Sequence, residues 1–198
     1  GEAGAVAGWP SYGGDPGGSR YTPLDDIHAG NLSDLEIAWT YRTGDVADGK
    51  GKFNGTSAFE LTPLVVDGSL FACTPFNRVI ALDPETGAER WSFDPGIDLT
   101  VNFANQFVCR GVATWLDPDR GAYDPCQRRI FTATNVARLF ALDAATGARC
   151  AEFGDAGVVD LNPGVGEKLW MGEYLVTSPP AVAGNLVVVG WAVGDGQR

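Results

Sequence analysis

Basic side chains are scarce: 14 Lys and Arg face 25 Asp and Glu in 198 residues, a net charge of −11. Proteins that neutralise nucleic-acid phosphates need clustered Lys and Arg, and no such cluster exists, so nucleic acid is excluded as a partner. An anionic membrane surface is disfavoured for the same reason. Histidine is nearly absent, with His28 alone in the polar stretch Asp25-Asp26-Ile27-His28, and no Cys-x-x-Cys pair occurs. A usual zinc set therefore cannot be completed, and His28 reads as a surface residue rather than a catalytic base. No apolar run approaches the ~18 residues that suggest a membrane span. Gly1–Gly8 has neither a basic n-region nor an apolar h-region, so no signal peptide is visible; it has either been removed or lies outside these residues.

What is abundant is turn chemistry. Only 20% of the residues are charged, against 27 glycines and 12 prolines, a mix that suits many short strands better than long helices. The four cysteines, Cys73, Cys109, Cys126 and Cys150, form an even set, which favours disulfides in an oxidising compartment. Reduced buried thiols are the alternative. Four cysteines allow three pairings, among which sequence cannot choose.

An internal repeat runs through the chain. Residues 81–95 read ALDPETGAERWSFDP and residues 141–155 read ALDAATGARCAEFGD, at an offset of 60. The offset also pairs Phe71 with Phe131, Thr74 with Thr134 and Arg78 with Arg138. Within one unit, VIALD is an apolar strand and Asp-Pro-Glu-Thr-Gly a turn, with Pro84 presetting φ and Gly87 free to take positive φ. RWSF is the return strand, with Trp91 and Phe93 on one face. Before it, PLVVDGSLFAC is a hairpin turning at Asp67-Gly68. The unit is therefore a four-stranded antiparallel sheet of about 60 residues, the size of a propeller blade. One such sheet cannot bury both faces, so several must stack. A third copy begins at SPPAVAGNLVVVG (178–190) and reaches Arg198 before any ALDxxTG turn. DLEIAWTYRTGD (34–45) matches only the last strand of a blade. The expected layout is 1–45, a lead-in and the closing strand of the last blade; 46–95, the first blade; 96–155, the second; and 156–198, a linker and the start of a third. The repeat thus reads as unfinished at its C-terminus. Trp39 and Trp91 are expected to pack between blades.

The residues of WPSYGGDPGGSRYTPLDDIHAGNLSDLEIAWTYRTGD (9–45) and FELTPLVVDGSLFACTPFNRVIALDPETGAERWSFDP (59–95) resemble the opening of dehydrogenases dependent on pyrroloquinoline quinone (PQQ). CRGV (109–112), CQRRIFTAT (126–134) and TSPPAVAGNLVVVG (177–190) resemble their glucose, quinate and shikimate branch. The resemblance implies an all-β, eight-bladed β-propeller with PQQ near its axis beside Ca²⁺ or Mg²⁺. Eight blades of this size need about 480 residues. The resemblance also implies that the proton-abstracting aspartate lies beyond Arg198, and that these residues alone are inactive.

Carried onto this sequence, the resemblance gives Glu60, Arg110, Thr177 and Ser178 as cofactor-binding residues and Asp195 as a metal ligand. PQQ carries three carboxylates and two reactive carbonyls, so a fixed guanidinium at Arg110 is chemically apt. A hard divalent cation wants oxygen ligands, which fits Asp195. The blander readings are a solvated carboxylate at Glu60, a surface or inter-blade arginine at Arg110, and backbone capping by the Thr177 and Ser178 hydroxyls. Two departures stand out. The sugar-oxidising branch has Asp-Asn where this chain has Asp195-Gly196, and the glucose enzymes carry histidine near Gln106. A Cys109–Cys126 disulfide is expected, closing the 115–125 loop near Arg110. Trp170 and Trp191 are candidates for the flat apolar floor a PQQ ring needs.

The implied reaction is oxidation of a sugar, polyol or cyclic alcohol in the periplasm, with electrons passing to ubiquinone or a cytochrome, and any membrane anchor lying outside these residues. A methanol-type enzyme is a rival, though such enzymes often have adjacent cysteines near the arginine and this chain has only Cys109 there. The other rival is a non-catalytic envelope propeller serving as a scaffold, which explains the repeat and the acidity but not Glu60 and CRGV.

Overall fold

The computed structural model describes residues 8–167, 170 and 172–194. Two four-stranded antiparallel sheets dominate it. The first is β1 (Leu64–Val66), β2 (Ser69–Cys73), β3 (Val79–Leu82) and β4 (Glu89–Phe93); the second is β5 (Ala113–Leu116), β6 (Arg128–Ala133), β7 (Arg138–Asp143) and β8 (Val158–Asp160). A third unit begins with β9 (Tyr174–Leu175), the hairpin β10 (Ala181–Ala183) to β11 (Leu186–Val188), and β12 (Ala192–Val193), which pairs with β9. Among the described residues the only helix is the 3₁₀ turn Leu32–Asp34, and none is long and apolar enough to cross a membrane.

Local chemistry accounts for the turns. The β1–β2 turn has Asp67 and Gly68 at φ of 49° and 70°, the left-handed pair whose twist matches a two-residue hairpin. In the Asp-x-x-Thr-Gly turn after β3, one Asp83 carboxylate oxygen accepts hydrogen bonds from the Glu85 and Thr86 N–H groups and the Thr86 hydroxyl, at 3.0, 2.9 and 3.0 Å. Asp143 repeats this with Ala145 and Thr146 at 3.0, 2.9 and 2.9 Å. The second oxygen of Asp83 pairs with Arg90 at 2.8 Å, and that of Asp143 takes the Cys126 N–H. Arg90, then the Thr86 contacts, hold the Asp83 carboxyl down at about 2, against an ordinary 3.8.

The same turn joins one sheet to the next. The Trp91 indole, on β4, donates to the Ala144 carbonyl of the second sheet at 3.0 Å and lies over Gly147. Gly147 has φ of 74°, and a Cβ there would come within 2.6 Å of the ring. Trp39 makes the matching contacts one sheet earlier, donating to Pro84 at 3.1 Å and lying over Gly87. Arg78 reaches back to the Thr43 carbonyl at 2.8 Å and Asp45 at 3.0 Å, as Arg138 reaches the Pro95 carbonyl at 2.8 Å. Segment 35–45 thus docks on the first sheet as β4 docks on the second. Between the two sheets Phe71, Val79 and Ala81 face Ile130, Phe140 and Leu142 in one apolar layer; Ile80 and Leu82, on the opposite face, meet Trp39 and Tyr41.

Two expectations change. Residues 149–153 align with β4 in the repeat, yet the fourth strand of the second sheet is β8, so this sheet runs to Asp160 rather than ending at 155. Residues 150–157 instead form turns, with Phe153 N–H bonded to Cys150 O and Gly157 N–H to Phe153 O. The cysteines pair Cys73 with Cys109 and Cys126 with Cys150, not Cys109 with Cys126. The reason is strand direction. The extended stretch from Cys109 through β5 to Leu116 carries the chain from one end of the sheet to the opposite end, roughly 20 Å at strand rise. Cys126 precedes β6 at that far end, beyond the ~7 Å Cα limit for a disulfide.

Three outcomes are expected. Gly147→Ala destabilises the protein by about 2 kcal/mol more than Gly68→Ala, because both glycines have left-handed φ but only Gly147 has a ring in the way; urea unfolding followed by tryptophan fluorescence compares them, and equal losses count against the Trp91 seat. Asp83 titrates near 2, and Arg90→Ala moves it back toward 3.8 in a carboxyl NMR titration. Because its folded value is depressed, its support for the turn is complete above the ordinary value and fades as pH falls toward 2. Non-reducing peptide mapping yields Cys73–Cys109 and Cys126–Cys150 linked peptides, whereas a Cys109–Cys126 peptide contradicts the strand directions given above.

Candidate functional site

Each unit begins with an extended segment leading into its inner strand, and these segments lie side by side. Phe107 N–H donates to Thr56 O at 2.8 Å and Ala58 N–H to Phe107 O at 2.9 Å, a parallel ladder between the first two lead-ins. Further along, Thr62 N–H donates to Arg110 O at 3.2 Å, and Arg110 N–H donates to Thr177 O at 3.0 Å. Arg110 is thus the middle rung of a three-segment rim, its peptide held by the first unit on one side and the third on the other. Gly111 follows with φ of 152°, a conformation that side-chain-bearing residues rarely adopt, which suits a glycine after the arginine.

The fold therefore brings together Glu60, Arg110, Thr177 and Ser178, which are far apart in sequence. The Arg110 guanidinium pairs with the Glu60 carboxylate at 3.1 Å, and both side chains are partly exposed, at 39% and 42%. A pair so exposed adds little to stability, so its geometry matters more than its strength. Thr177 is buried, Ser178 is exposed beside it, and Pro179 and Pro180 keep the segment extended. Asp195 lies outside the described residues. Gln106 is exposed one residue before the Phe107 rung.

The tryptophans are placed differently from one another. Trp191 meets Tyr174 edge-on at 6.2 Å, and Trp170 lies against Gly172 and Gly194. His28 is exposed, and its Nδ1 accepts the Gly30 N–H at 3.1 Å.

Sequence reasoning missed two buried asparagines at this end of the sheets. Asn77 and Asn135 sit in the β2–β3 and β6–β7 turns, essentially without solvent exposure, and the Asn135 N–H donates to Asn77 Oδ1 at 2.8 Å, across the two sheets. The repeat places both turns at the arginine end, but a turn asparagine is common enough to carry no signal of burial. Cys73 was also missed as a neighbour of this rim. The last residue of β2, it is bonded to Cys109 immediately before Arg110.

The donor set suits a planar, oxygen-rich anion. A guanidinium carries five N–H donors in a rigid fork, and Glu60 occupies one edge of it, leaving the rest for carboxylate or carbonyl oxygens. A quinone bearing carboxylates fits that chemistry. Among the described residues, the only cluster of three groups with metal-ligand chemistry is Cys126, Cys150 and Glu152. Its two cysteines are disulfide-bonded and offer no thiolate.

Residues 9–198 match the family model described as "PQQ: Glucose/ethanol/alcohol dehydrogenase, beta-propeller domain". The chain is 38% identical over 94% of its length to quinate/shikimate dehydrogenase (quinone) of Acinetobacter baylyi and 36% identical over 96% to quinoprotein glucose dehydrogenase A of Acinetobacter calcoaceticus. It spans about a quarter of each, 24% and 25%. Among solved structures, the quinohemoprotein alcohol dehydrogenase from Comamonas testosteroni superposes on 94% of this chain with a TM-score of 0.71 at 30% identity, and the chain covers 23% of it. Repeated sheets joined by tryptophan agree with the family match, and the chain belongs to the β-propeller family of PQQ-dependent quinoprotein dehydrogenases.

Proposed function

We propose that these blades belong to a periplasmic quinoprotein dehydrogenase that oxidises a sugar, polyol or cyclic alcohol. The observation that carries this is the Glu60–Arg110 pair at the rim where three lead-in segments meet. Bound PQQ supplies the two-electron acceptor. Arg110 holds the cofactor by charge-assisted hydrogen bonds to its oxygens and faces the negative charge that develops on reduction. Glu60 fixes the guanidinium fork and offsets its charge when the rim is empty. Thr177 holds the Arg110 peptide, so the fork approaches the ligand from a set direction. Asp195, outside the described residues, would offer its carboxylate to a Ca²⁺ or Mg²⁺ ion, and the proton-abstracting carboxylate comes from elsewhere in the full-length protein. Segment 35–45 closes the last blade, because it docks on the first sheet with the contacts β4 makes to the second. Electrons leave to a quinone or a cytochrome acceptor, and any membrane anchor lies outside these residues.

The test uses the full-length apoprotein, titrated with PQQ in the presence of Ca²⁺ or Mg²⁺ and then assayed with glucose, quinate and glycerol using an artificial electron acceptor. Arg110→Ala removes a charge-assisted contact of the kind worth about 1.5–3 kcal/mol, so PQQ binding weakens roughly 10- to 100-fold, while Glu60→Gln, which only frees the half-exposed fork, changes affinity less than Arg110→Ala does. A wild-type protein that takes up no PQQ overturns this reading and leaves a scaffold propeller.

A further inference from the structure

Arg110 carries its charge on a segment with little secondary structure of its own. β5 begins only at Ala113, and the described backbone hydrogen bonds of Arg110 are the two that cross to Thr62 and Thr177. A guanidinium on such a segment recognises a ligand well only if its backbone is held by something stiffer. That element is present one residue away. Cys109 is bonded to Cys73, the end of β2, which is hydrogen-bonded on one side to β1 and on the other to β3. Cys73 pairs directly with Val79 across the sheet. The disulfide therefore fastens the residue before Arg110 to the middle of the first blade, the blade that also supplies Glu60.

We propose that the Cys73–Cys109 disulfide is a positioning element for Arg110, holding its backbone so that the guanidinium stays beside Glu60 and aimed at the ligand. Both cysteines are buried, at 0% and 5% exposure, so the bond is shielded from external thiols and acts as a fixed brace rather than a redox switch. The other disulfide, Cys126–Cys150, is equally buried but lies at the opposite end of the second blade, beside the Asp143 turn. It closes a loop of similar length, 24 residues against 36, and so serves as an internal control for general stability.

This inference rests on Arg110 binding PQQ, and the experiment separates the two claims. Full-length wild type, Cys73→Ser/Cys109→Ser and Cys126→Ser/Cys150→Ser are titrated with PQQ by fluorescence quenching, each with and without Arg110→Ala, and their unfolding midpoints are measured alongside. Loss of Cys73–Cys109 weakens PQQ binding about tenfold or more, the effect of misplacing a recognition group. Loss of Cys126–Cys150 leaves affinity within about twofold while lowering the unfolding midpoint comparably. In the Arg110→Ala background, removing Cys73–Cys109 has no further effect on affinity, because the brace acts through the arginine. Equal losses from both disulfides, or a brace effect fully additive with Arg110→Ala, overturn the proposal. If the serine pair does not fold, Cys73→Ala/Cys109→Val keeps the buried site apolar and is read by the same cycle. A wild type that binds no PQQ overturns the functional reading itself, and the brace for that ligand with it.

Discussion

The structure depends on one joint, a tryptophan indole seated over the glycine of the next blade's Asp-x-x-Thr-Gly turn. Three requirements meet there. The aspartate must gather the turn's N–H groups, the glycine must take a left-handed φ and carry no Cβ, and the preceding blade must present an indole whose N–H finds the turn's carbonyl. Each sheet is apolar on both faces and cannot stand alone, so the joint sets the spacing at which Phe71 and Val79 meet Ile130 and Phe140. Segment 35–45 uses the same joint through Trp39, so an extended segment that forms no strand docks on the first blade as β4 docks on the second.

The candidate site follows from that stacking. Blades joined at their outer strands converge at their inner edges, and three lead-in segments come close enough to exchange backbone hydrogen bonds. Arg110 acquires its neighbours there: Thr62 and Thr177 through the backbone, Glu60 through its side chain. The rim is partly exposed and polar, whereas the layer behind it is apolar and stapled by Cys73–Cys109. A charged fork held by a rigid wall is what recognition of an anionic planar ligand requires. Nothing in the outer strands needs to know about the ligand.

Much of this was legible in the residues. The offset of 60 identified the blades and their Thr-Gly turns, and Asp67-Gly68 marked a hairpin, because period-two strands and left-handed glycines leave local marks. The residues of the rim were legible only through family resemblance, since an isolated glutamate or arginine at a strand's start carries no local signal of function. Asn77 and Asn135 were not legible at all: a turn asparagine looks alike whether it is exposed or sealed between two blades.

By itself the sequence determined the repeat, the turn types, the acidic and turn-rich character, and the all-β architecture, because each depends on residues within a few positions of one another. The tertiary structure decided which cysteines meet, where the second sheet ends, and that Glu60 pairs with Arg110. These depend on which end of a blade each residue occupies and on how neighbouring blades converge. Cys109 and Cys126 are near in sequence and a strand's length apart in space, while Cys73 and Cys109 are 36 residues apart and touch. An antiparallel sheet returns the chain to the same end every second strand, and only the stacked blades set those ends side by side.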